Sequence, residues 1–504
     1  MAFSDLLDRA ITSVAPVTGA RRAHARAQIH AINAATAAYD GAARSHRMRF
    51  HKVESTSANA EISISLERLR NVSRDLRRNN ALAANCVTVI GSHVVGTGIV
   101  PNIPGIAGKR LKKHLGDLVR RHLETPAIDF DGRHNLYGLQ RLVIDTVVES
   151  GEALIVRYLP PATLRLPVPL QVRVLDPDYL DTSKDGPTKD GGHCYQGIEV
   201  DRNGRRIGYW LYDEHPGGSL NWRLPTSRRV DAKEVIHVYR LDRPGQMRGV
   251  PWCAPVIVPM RDLSEYEDAE IVRQKIAACF AVFFTGTPDS NLAQQTANAA
   301  KSAAGNPVQV LEPGLMKDLG NRDVKFATPP TVNGYADFVR SRQRVICSGY
   351  GVPYELGTGD LGQVSFISGR LGILQFDRNV GSWRWQMLIP HACDGIGKWF
   401  LDAAQIVLGQ KVSDLAFDWT PPAREMIEPS KEIPAARDAI RSGLSSRSEE
   451  LRKRGLDPEA IDAENAADNE RADRSKLKFD SDGRFPATFA IGQNGKDDGE
   501  KPPD

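Results

Sequence analysis

Hydrophobic positions along the chain fall into blocks of different period. Between Ser65 and Val95 apolar residues stand near 3.6 spacing (Leu66, Leu69, Leu76, Leu82, Val87, Ile90), which predicts a helix ended by Gly96-Thr97-Gly98. Short β-rich runs then dominate to about residue 250. Glu152–Tyr158, Leu170–Leu175 and Val235–Tyr239 read as strands, with one helix, Leu136–Ser150, among them. Gly197–Val200 and Ile207–Tyr212 flank Asn203-Gly204, a pair suited to a type I′ turn with φ > 0 at both residues, so a hairpin is expected there. The middle of the chain reads as a mixed α+β domain.

Beyond Pro251, Pro255 and Pro259 the period returns to that of a helix. Asp262 with Glu265 three residues on reads as its capping box, and Glu265, Glu267, Asp268 and Glu270 sit where the helix dipole favours acid. Val272, Ile276, Cys279, Phe280 and Phe283 form its apolar face, and Gly286-Thr287-Pro288 stops it. A compact insertion follows: a helix over Leu292–Ala304, a strand over Val308–Leu311, a turn at Pro313-Gly314, and a strand over Val324–Ala327. A second helix starts near Asn333, with Tyr335, Phe338, Val339, Val345 and Ile346 as its apolar residues, and Gly349, Gly351 and Pro353 end it. Two helices thus bracket a small α/β module and, if antiparallel, make a stalk with the module at its tip.

After a Gly-rich loop, Glu355 to Gly369, a long helical pattern runs to about Leu408. Trp385, Leu388, Ile389, Ala392, Ile396, Trp399, Phe400 and Ala403 keep its register, and Pro390 should kink it. Polar, helix-prone stretches follow at Glu432–Ser442 and Ser446–Gly455. From about Arg471 the sequence is charged and apolar-poor and reads as disordered.

Composition narrows the function classes. A chain of 504 residues with 41% hydrophobic and 25% charged residues holds roughly two to four domains with real cores. Its net charge of +4 excludes a polycation that coats nucleic acid by bulk charge. Residues 1 to 52 are locally basic, with a helix expected through Arg21–Ala38 as a solvated arm or a contact to nucleic acid or a neighbouring subunit. Asp5 and Asp8 interrupt what a secretory signal would keep apolar, and Ile276 to Phe284, the longest apolar run, is about half a membrane span. Cys86, Cys194, Cys253, Cys279, Cys347 and Cys393 lie far apart without a CxxC, as buried thiols of a reduced chain do. The histidines form no ligand set, so no metal and no cofactor is expected.

Walker A, HExxH and GxSxG motifs are absent. Gly357-Thr358-Gly359-Asp360-Leu361-Gly362 matches GxGxxG, but a dinucleotide site needs a strand before the first glycine, and only Tyr354-Glu355-Leu356 is available. A nucleotide-binding enzyme is therefore the alternative reading, and a mobile glycine loop the main one. Arg240, Arg243 and Arg248 around Pro244-Gly245, and Arg340, Arg342 and Arg344 on the second stalk helix, read as solvated or intersubunit charge. Arg340 and Arg344 share a helix face.

Several ordered segments resemble the portal proteins of tailed bacteriophages, lambda-type family. They are Arg74-Asp75-Leu76-Arg77-Arg78-Asn79-Asn80, Val94 to Ile99, Asp145 with Ser150-Gly151-Glu152-Ala153-Leu154, and Leu175-Asp176-Pro177-Asp178-Tyr179-Leu180-Asp181. Further on come Arg243 to Trp252, Asp262 to Glu270, and Gly351-Val352-Pro353-Tyr354-Glu355-Leu356 with Thr358-Gly359-Asp360. The resemblance runs from about residue 39 to 400 and implies an α+β portal fold. Its parts are a basic arm (1–52), a mixed α/β wing (53–260), two stem helices (261–285 and 334–352) around an α/β clip (286–333), and a tunnel loop (353–369). A long kinked helix (370–412), a helical crown (413–470) and a disordered tail (471–504) complete it.

The function so implied is passive: a ring, usually of twelve subunits, at one capsid vertex, through which DNA is packaged and ejected, with no catalysis of its own. The implied partners are further copies of the chain, double-stranded DNA held without sequence preference, the large terminase subunit, a head-completion or adaptor protein, and the major capsid protein with its scaffold, and no membrane. Virion and, during assembly, host cytoplasm are the implied locations. A different ring-forming component, such as a head–tail adaptor, is a second alternative.

By the same resemblance the tunnel loop would present Gly357, Thr358, Gly359, Asp360, Gln363, Ser365 and Arg370 to DNA. The clip would offer Asp289, Lys301, Glu312, Lys317 and Asp318 to terminase and adaptor. One departure stands out: family members commonly carry a Tyr-Ser-Ser-Ala-Arg-like stretch where this chain has Phe366-Ile367-Ser368-Gly369-Arg370, so Arg370 is retained on a different loop surface.

Overall fold

The computed structural model describes residues 55–103, 108–218, 226–278, 282–285, 323–326 and 334–479 apart from 425, 427 and 478, with scattered positions between 15 and 28. The chain divides into two units, Met1–Ser57 and Ala58–Asp504. In the first, Arg21, Arg22, His24, Ala25 and Gln28 are helical, which is all of the expected arm helix that lies within the described residues.

The second unit opens with two helices where one was expected, α1 (Ala58–Asn79) and α2 (Ala81–Val94). Asn80 makes the break: its side chain accepts the Ala83 N–H at 3.1 Å and so starts a new helix. A short strand β1 (Val100–Asn102) and a basic helix α3 (Lys109–Leu118) follow, then α4 (Leu136–Ser150), β2 (Glu152–Tyr158) and β3 (Gln171–Leu175). The strands β4 (Gly186–Pro187), β5 (His193–Tyr195), β6 (Ile198–Val200), β7 (Arg206–Tyr212) and β8 (Ser227–Asp231) form an antiparallel sheet, while β9 (Val235–Tyr239) joins β2 and β3 in the order β3-β2-β9.

The three-stranded sheet explains why β2 reads as continuously apolar. Ala153 and Ile155 point to the helices, whereas Leu154 and Val156 pack with Leu175 and Val235 of their own sheet and with Ile198, Tyr209 and Leu211 of the five-stranded one. A strand buried on both faces needs no polar alternation.

The hairpin at Asn203-Gly204 forms, but its turn differs from the expected type. Only Gly204 has positive φ (80°), and Asp201 closes a longer loop, its carboxylate accepting the Asn203 and Arg205 N–H groups at 2.8 Å each. A side chain that bonds its own turn removes the need for a second left-handed residue.

The first of the two helices expected around the insertion, α5, spans Ile257–Ala278. It begins well before Asp262, directly after the turn Ala254–Val256, so Asp262 and Glu265 are interior rather than a capping box, and Glu265 pairs with Arg261 at 2.8 Å. It also stops earlier than expected. Val282–Thr285 (β10) is a strand paired antiparallel with Asp323–Phe326 (β11). Val-Phe-Phe-Thr carries the β-branched and aromatic residues that favour a strand once a partner is at hand. The intervening residues 286–322, and with them the expected helix, the Val308–Leu311 strand and all five proposed clip contacts, lie outside the described residues.

Helix α6 (Tyr335–Tyr350) returns antiparallel to α5. Val256, just before the start of one, touches Gly349 near the end of the other, and Tyr266 packs on Tyr335 and Phe338 with ring centroids 5.9 and 4.6 Å apart. The packing face of α5 therefore runs through Met260, Leu263 and Tyr266, and Val272, expected on it, is exposed.

A short helix α7 (Tyr354–Thr358) and then α8 (Phe366–Trp383) lead into a π-helical stretch, Arg384–Cys393, and α9 (Asp394–Leu408). The interruption expected at Pro390 is this π stretch, whose wider turn accommodates a residue with no N–H. Leu388, Ile389, Ala392, Ile396, Trp399, Phe400 and Ala403 are buried as predicted, but Trp385 is exposed, because residues sharing a face are spaced further apart in a π turn. Arg384 donates to the Val94 and His93 carbonyls at 2.7 and 2.6 Å, which ties this helix to the open end of α2. Strand β12 (Asp418–Thr420) pairs with β1, a contact with no local sequence signal. Helices α10 (Pro429–Arg441), α11 (Arg447–Lys453) and α12 (Pro458–Arg474) follow, so helix continues past Arg471, where disorder was expected to begin.

Candidate functional site

Two places gather the residues that the sequence singled out. The first is the loop between α7 and α8, shorter than expected because α7 and the start of α8 absorb both of its ends. Gly357 is buried: a Cβ there would stand 2.5 Å from the Cys347 sulfur and 3.6 Å from that of Cys86. The glycine answers a close approach, not a need to move, and presents no surface to a ligand. Those two thiols share a hydrogen bond which, with burial, pushes the Cys86 thiol far up and keeps it protonated. The Asn85 amide donates to the Leu356 and Gly357 carbonyls at 3.0 and 2.7 Å, so the loop's base is fixed to α2.

Above that base, Gly359 takes the left-handed conformation (φ 75°) that closes α7. Asp360 organises the turn, accepting the Tyr354 hydroxyl at 2.8 Å and the Gly362 N–H at 3.1 Å, with Arg340 Nε 3.7 Å away. The Tyr354 hydrogen bond is the main reason its carboxyl lies below the usual range. Arg344 lies over the Tyr354 ring at 5.2 Å, so Arg340 and Arg344 both serve this loop. Thr358 donates back to the Tyr354 carbonyl at 2.8 Å. Ser365 and Ser368 form a reciprocal capping box that starts α8. Of the predicted loop contacts, Gly359, Gln363, Ser365 and Arg370 are exposed, together with the apolar Leu361, Phe366, Ile367 and Leu371.

Gly357→Ala is expected to lower stability by about 1–3 kcal/mol, as overpacking of a tight site does. Gly372→Ala, on α8 with open space at its Cβ position, should raise it by up to about 1 kcal/mol. Thermal unfolding of the two variants beside the parent separates these outcomes.

The second place is a buried charge cluster that periodicity could not reveal. Glu152 is fully buried, and Arg248, itself 3% exposed, donates to it from Nε at 2.8 Å and from Nη2 at 2.6 Å. The Gly249 N–H at 2.8 Å and His237 Nε2 at 2.9 Å complete its partners. Arg70 stands 3.8 Å from the same carboxylate and donates to Asp178 at 2.5 Å, while Arg74 bonds Asp176, Asp178 and Ser150. Four of the segments that carry the sequence resemblance, around Arg74, Glu152, Asp176 and Arg248, thus converge here. Arg248, expected to be solvated or between subunits, is instead paired inside the chain.

Burial alone would raise the Glu152 carboxyl, but Arg248 and then His237 bring it well below the carboxylate range. Burial drives the His237 imidazole down to about 4. A carboxylate, an imidazole and a guanidinium are a catalytic vocabulary, yet here no solvent reaches Glu152 or His237, and the carboxylate's lone pairs are taken. The cluster ties α1, β2, the Val235–Tyr239 strand and the 240–252 loop together.

The GxGxxG alternative loses its premise in this geometry: a helix, not a strand, enters the first glycine, and that glycine is buried. Among the described residues no group of His, Cys, Asp or Glu could hold a metal, and no helix is long and apolar enough to cross a membrane. The described cysteines are free and buried, as expected.

A family model described as phage portal protein, lambda family, matches residues 44–384. The chain belongs to that family. This portal-family chain is 26% identical over 424 residues to the probable portal protein of Halomonas phage phiHAP-1, covering 78% of each chain. It is 22% identical over 441 residues to portal protein B of Escherichia phage lambda, covering 77% of this chain and 81% of that one. Among solved structures it is similar to a chain in the neck of a native gene transfer agent particle, at 16% identity and TM-score 0.44, covering 79% of this chain and 94% of that chain. Membership accounts for the order of the matched segments.

Proposed function

We propose that this chain is the subunit of a portal ring at one vertex of a phage or phage-like capsid, and that double-stranded DNA enters and leaves through the ring. The observation that carries the reading is the family match across residues 44–384. A twelve-subunit ring is the form proposed, in the virion and, during assembly, in the host cytoplasm. The exposed loop residues Gly359, Gln363, Ser365 and Arg370 would line the passage, with Thr358 and Asp360 holding the loop in shape. Arg370 supplies a phosphate contact, and the uncharged neighbours keep such contacts weak. DNA that must slide is served by weak, sequence-independent contacts. Terminase and the head-completion protein would dock on the clip, including Asp289, Lys301, Glu312, Lys317 and Asp318, and the wing would meet the capsid protein and its scaffold.

Particle mass tests the assembly. A species near ~665 kDa, twelve times the 55.4 kDa chain, or a neighbouring closed ring, is expected by mass photometry. A monomer that persists even with scaffold and capsid protein present would overturn the reading. Removing Gly359–Gln363 should leave the ring mass unchanged and impair completion of packaging.

A further inference from the structure

Helix α3 and the turn after it carry a charge distribution that the loop-centred reading does not use. Leu115, Leu118, Val119 and Leu123 are buried in the main core, and Leu111 packs against it, so the element is rigidly seated. The opposite side is cationic. Arg110, Lys112, Lys113, Arg120 and Arg121 are all exposed, against one carboxylate on the same stretch, Asp117. Asp117 pairs with Arg120, and Glu459 at the start of α12 pairs with Lys112. Both pairs are exposed and cost little to exchange. Arg110, Lys113 and Arg121 have no ion pair among the described residues. A stretch this basic on a chain of net charge +4 is a local feature, not a reflection of bulk composition.

We propose that this face of α3 is a second binding surface for the phosphate backbone of duplex DNA, separate from the α7–α8 loop. The exposed cations extend over roughly 15 Å of helix, at 1.5 Å per residue, against a polymer with one charge per roughly 1.7 Å of its axis. The surface lacks what a protein partner would need: its leucines face inward, leaving no apolar centre for an interface core. That it accepts anionic groups is visible within the chain, because Glu459 of the acidic α12 already occupies Lys112. The C-terminal helix is thus an internal competitor for the same face. The proposal rests on the portal reading only for the choice of duplex DNA as the anion.

The test uses the full chain and a 60-bp duplex of arbitrary sequence, with affinity measured by fluorescence anisotropy across a salt series. The combined variant Arg110→Glu, Lys113→Glu and Arg121→Glu is expected to bind at least about tenfold more weakly. Its log–log salt slope should be shallower by about 3, one for each lost phosphate contact. Glu459→Gln, which frees Lys112, should bind more tightly, and Arg370→Ala should change the slope by no more than about 1. An unchanged slope in the triple variant would overturn the proposal, as would a parent chain that does not bind the duplex at low salt. Loss of binding to capsid or scaffold protein, with DNA binding intact, would overturn it in favour of an acidic protein partner. Ring mass is read separately, so failure of the portal reading and failure of this surface give different results.

Discussion

Glu152→Gln is expected to destabilise the protein by about 3–5 kcal/mol, the cost of breaking a buried ion pair from one side. The variant keeps the volume but removes the charge that Arg248 and Arg70 were buried against, and a neutral amide cannot take the paired guanidinium contacts. Urea titration followed by tryptophan fluorescence reads the loss. Pairing Glu152→Leu with Arg248→Met should recover much of it, because an apolar pair leaves less uncompensated charge behind. If the single variant were as stable as the parent, the cluster would not be what joins α1, β2, β9 and the 240–252 loop.

Acid should weaken the fold well before carboxylates titrate. His122 and His237 are both buried, and burial lowers each to about 4 from an ordinary value of 6.5. The Leu170 carbonyl favours the charged His122 ring, and Glu152 the charged His237 ring, but neither offsets burial. Between pH 6.5 and 4 the unfolded chain binds protons that the folded chain refuses, so stability is full above 6.5 and falls as pH drops toward 4. Each histidine accounts for on the order of 3 kcal/mol across that window. Glu152 adds to the loss lower down: its folded carboxyl is depressed, so its contribution is present above the unfolded value of 4.5 and disappears as pH falls below it. Urea midpoints at pH 7.5 and 5.0 should differ clearly in the parent. The difference should shrink in His122→Phe, whose ring can keep the stacking on Phe400 without a proton to gain.

Much of this was legible where the pattern is local. Helix Leu136–Ser150 and strands Glu152–Tyr158 and Val235–Tyr239 have the boundaries that period and turn residues predict. So does the antiparallel pair α5 and α6 at its α6 end, where Gly351 terminates the helix in a left-handed cap. The failures are of another kind. Phe283 fits an apolar helix face and an apolar strand equally, and only its pairing with Lys325 decides. Gly357 reads as a loop glycine until two cysteines from other elements are seen against it. Arg70, Glu152 and His237 lie 82 and 85 positions apart in pairs along the chain, and no window spans them. Glu152 belongs to a segment that was visible as a word, Arg70 and His237 to none; their meaning, a shared buried charge, exists only in three dimensions.

The pairing of Val100–Asn102 with Asp418–Thr420 joins positions about 320 residues apart, Asn102 also bonding the Thr420 side chain at 3.0 Å. A ribosome adding about 5–20 residues per second would take some 16 to 64 s to make the second strand after the first. Throughout that interval β1 has an open edge, and for most of it the core beside it also lacks the helices α8 and α9 that seal it, which are made shortly before β12. A newly made chain is therefore exposed to chaperones, and to other copies of itself, before its fold is complete. Order of synthesis becomes part of quality control: a chain truncated before Asp418 cannot close this body.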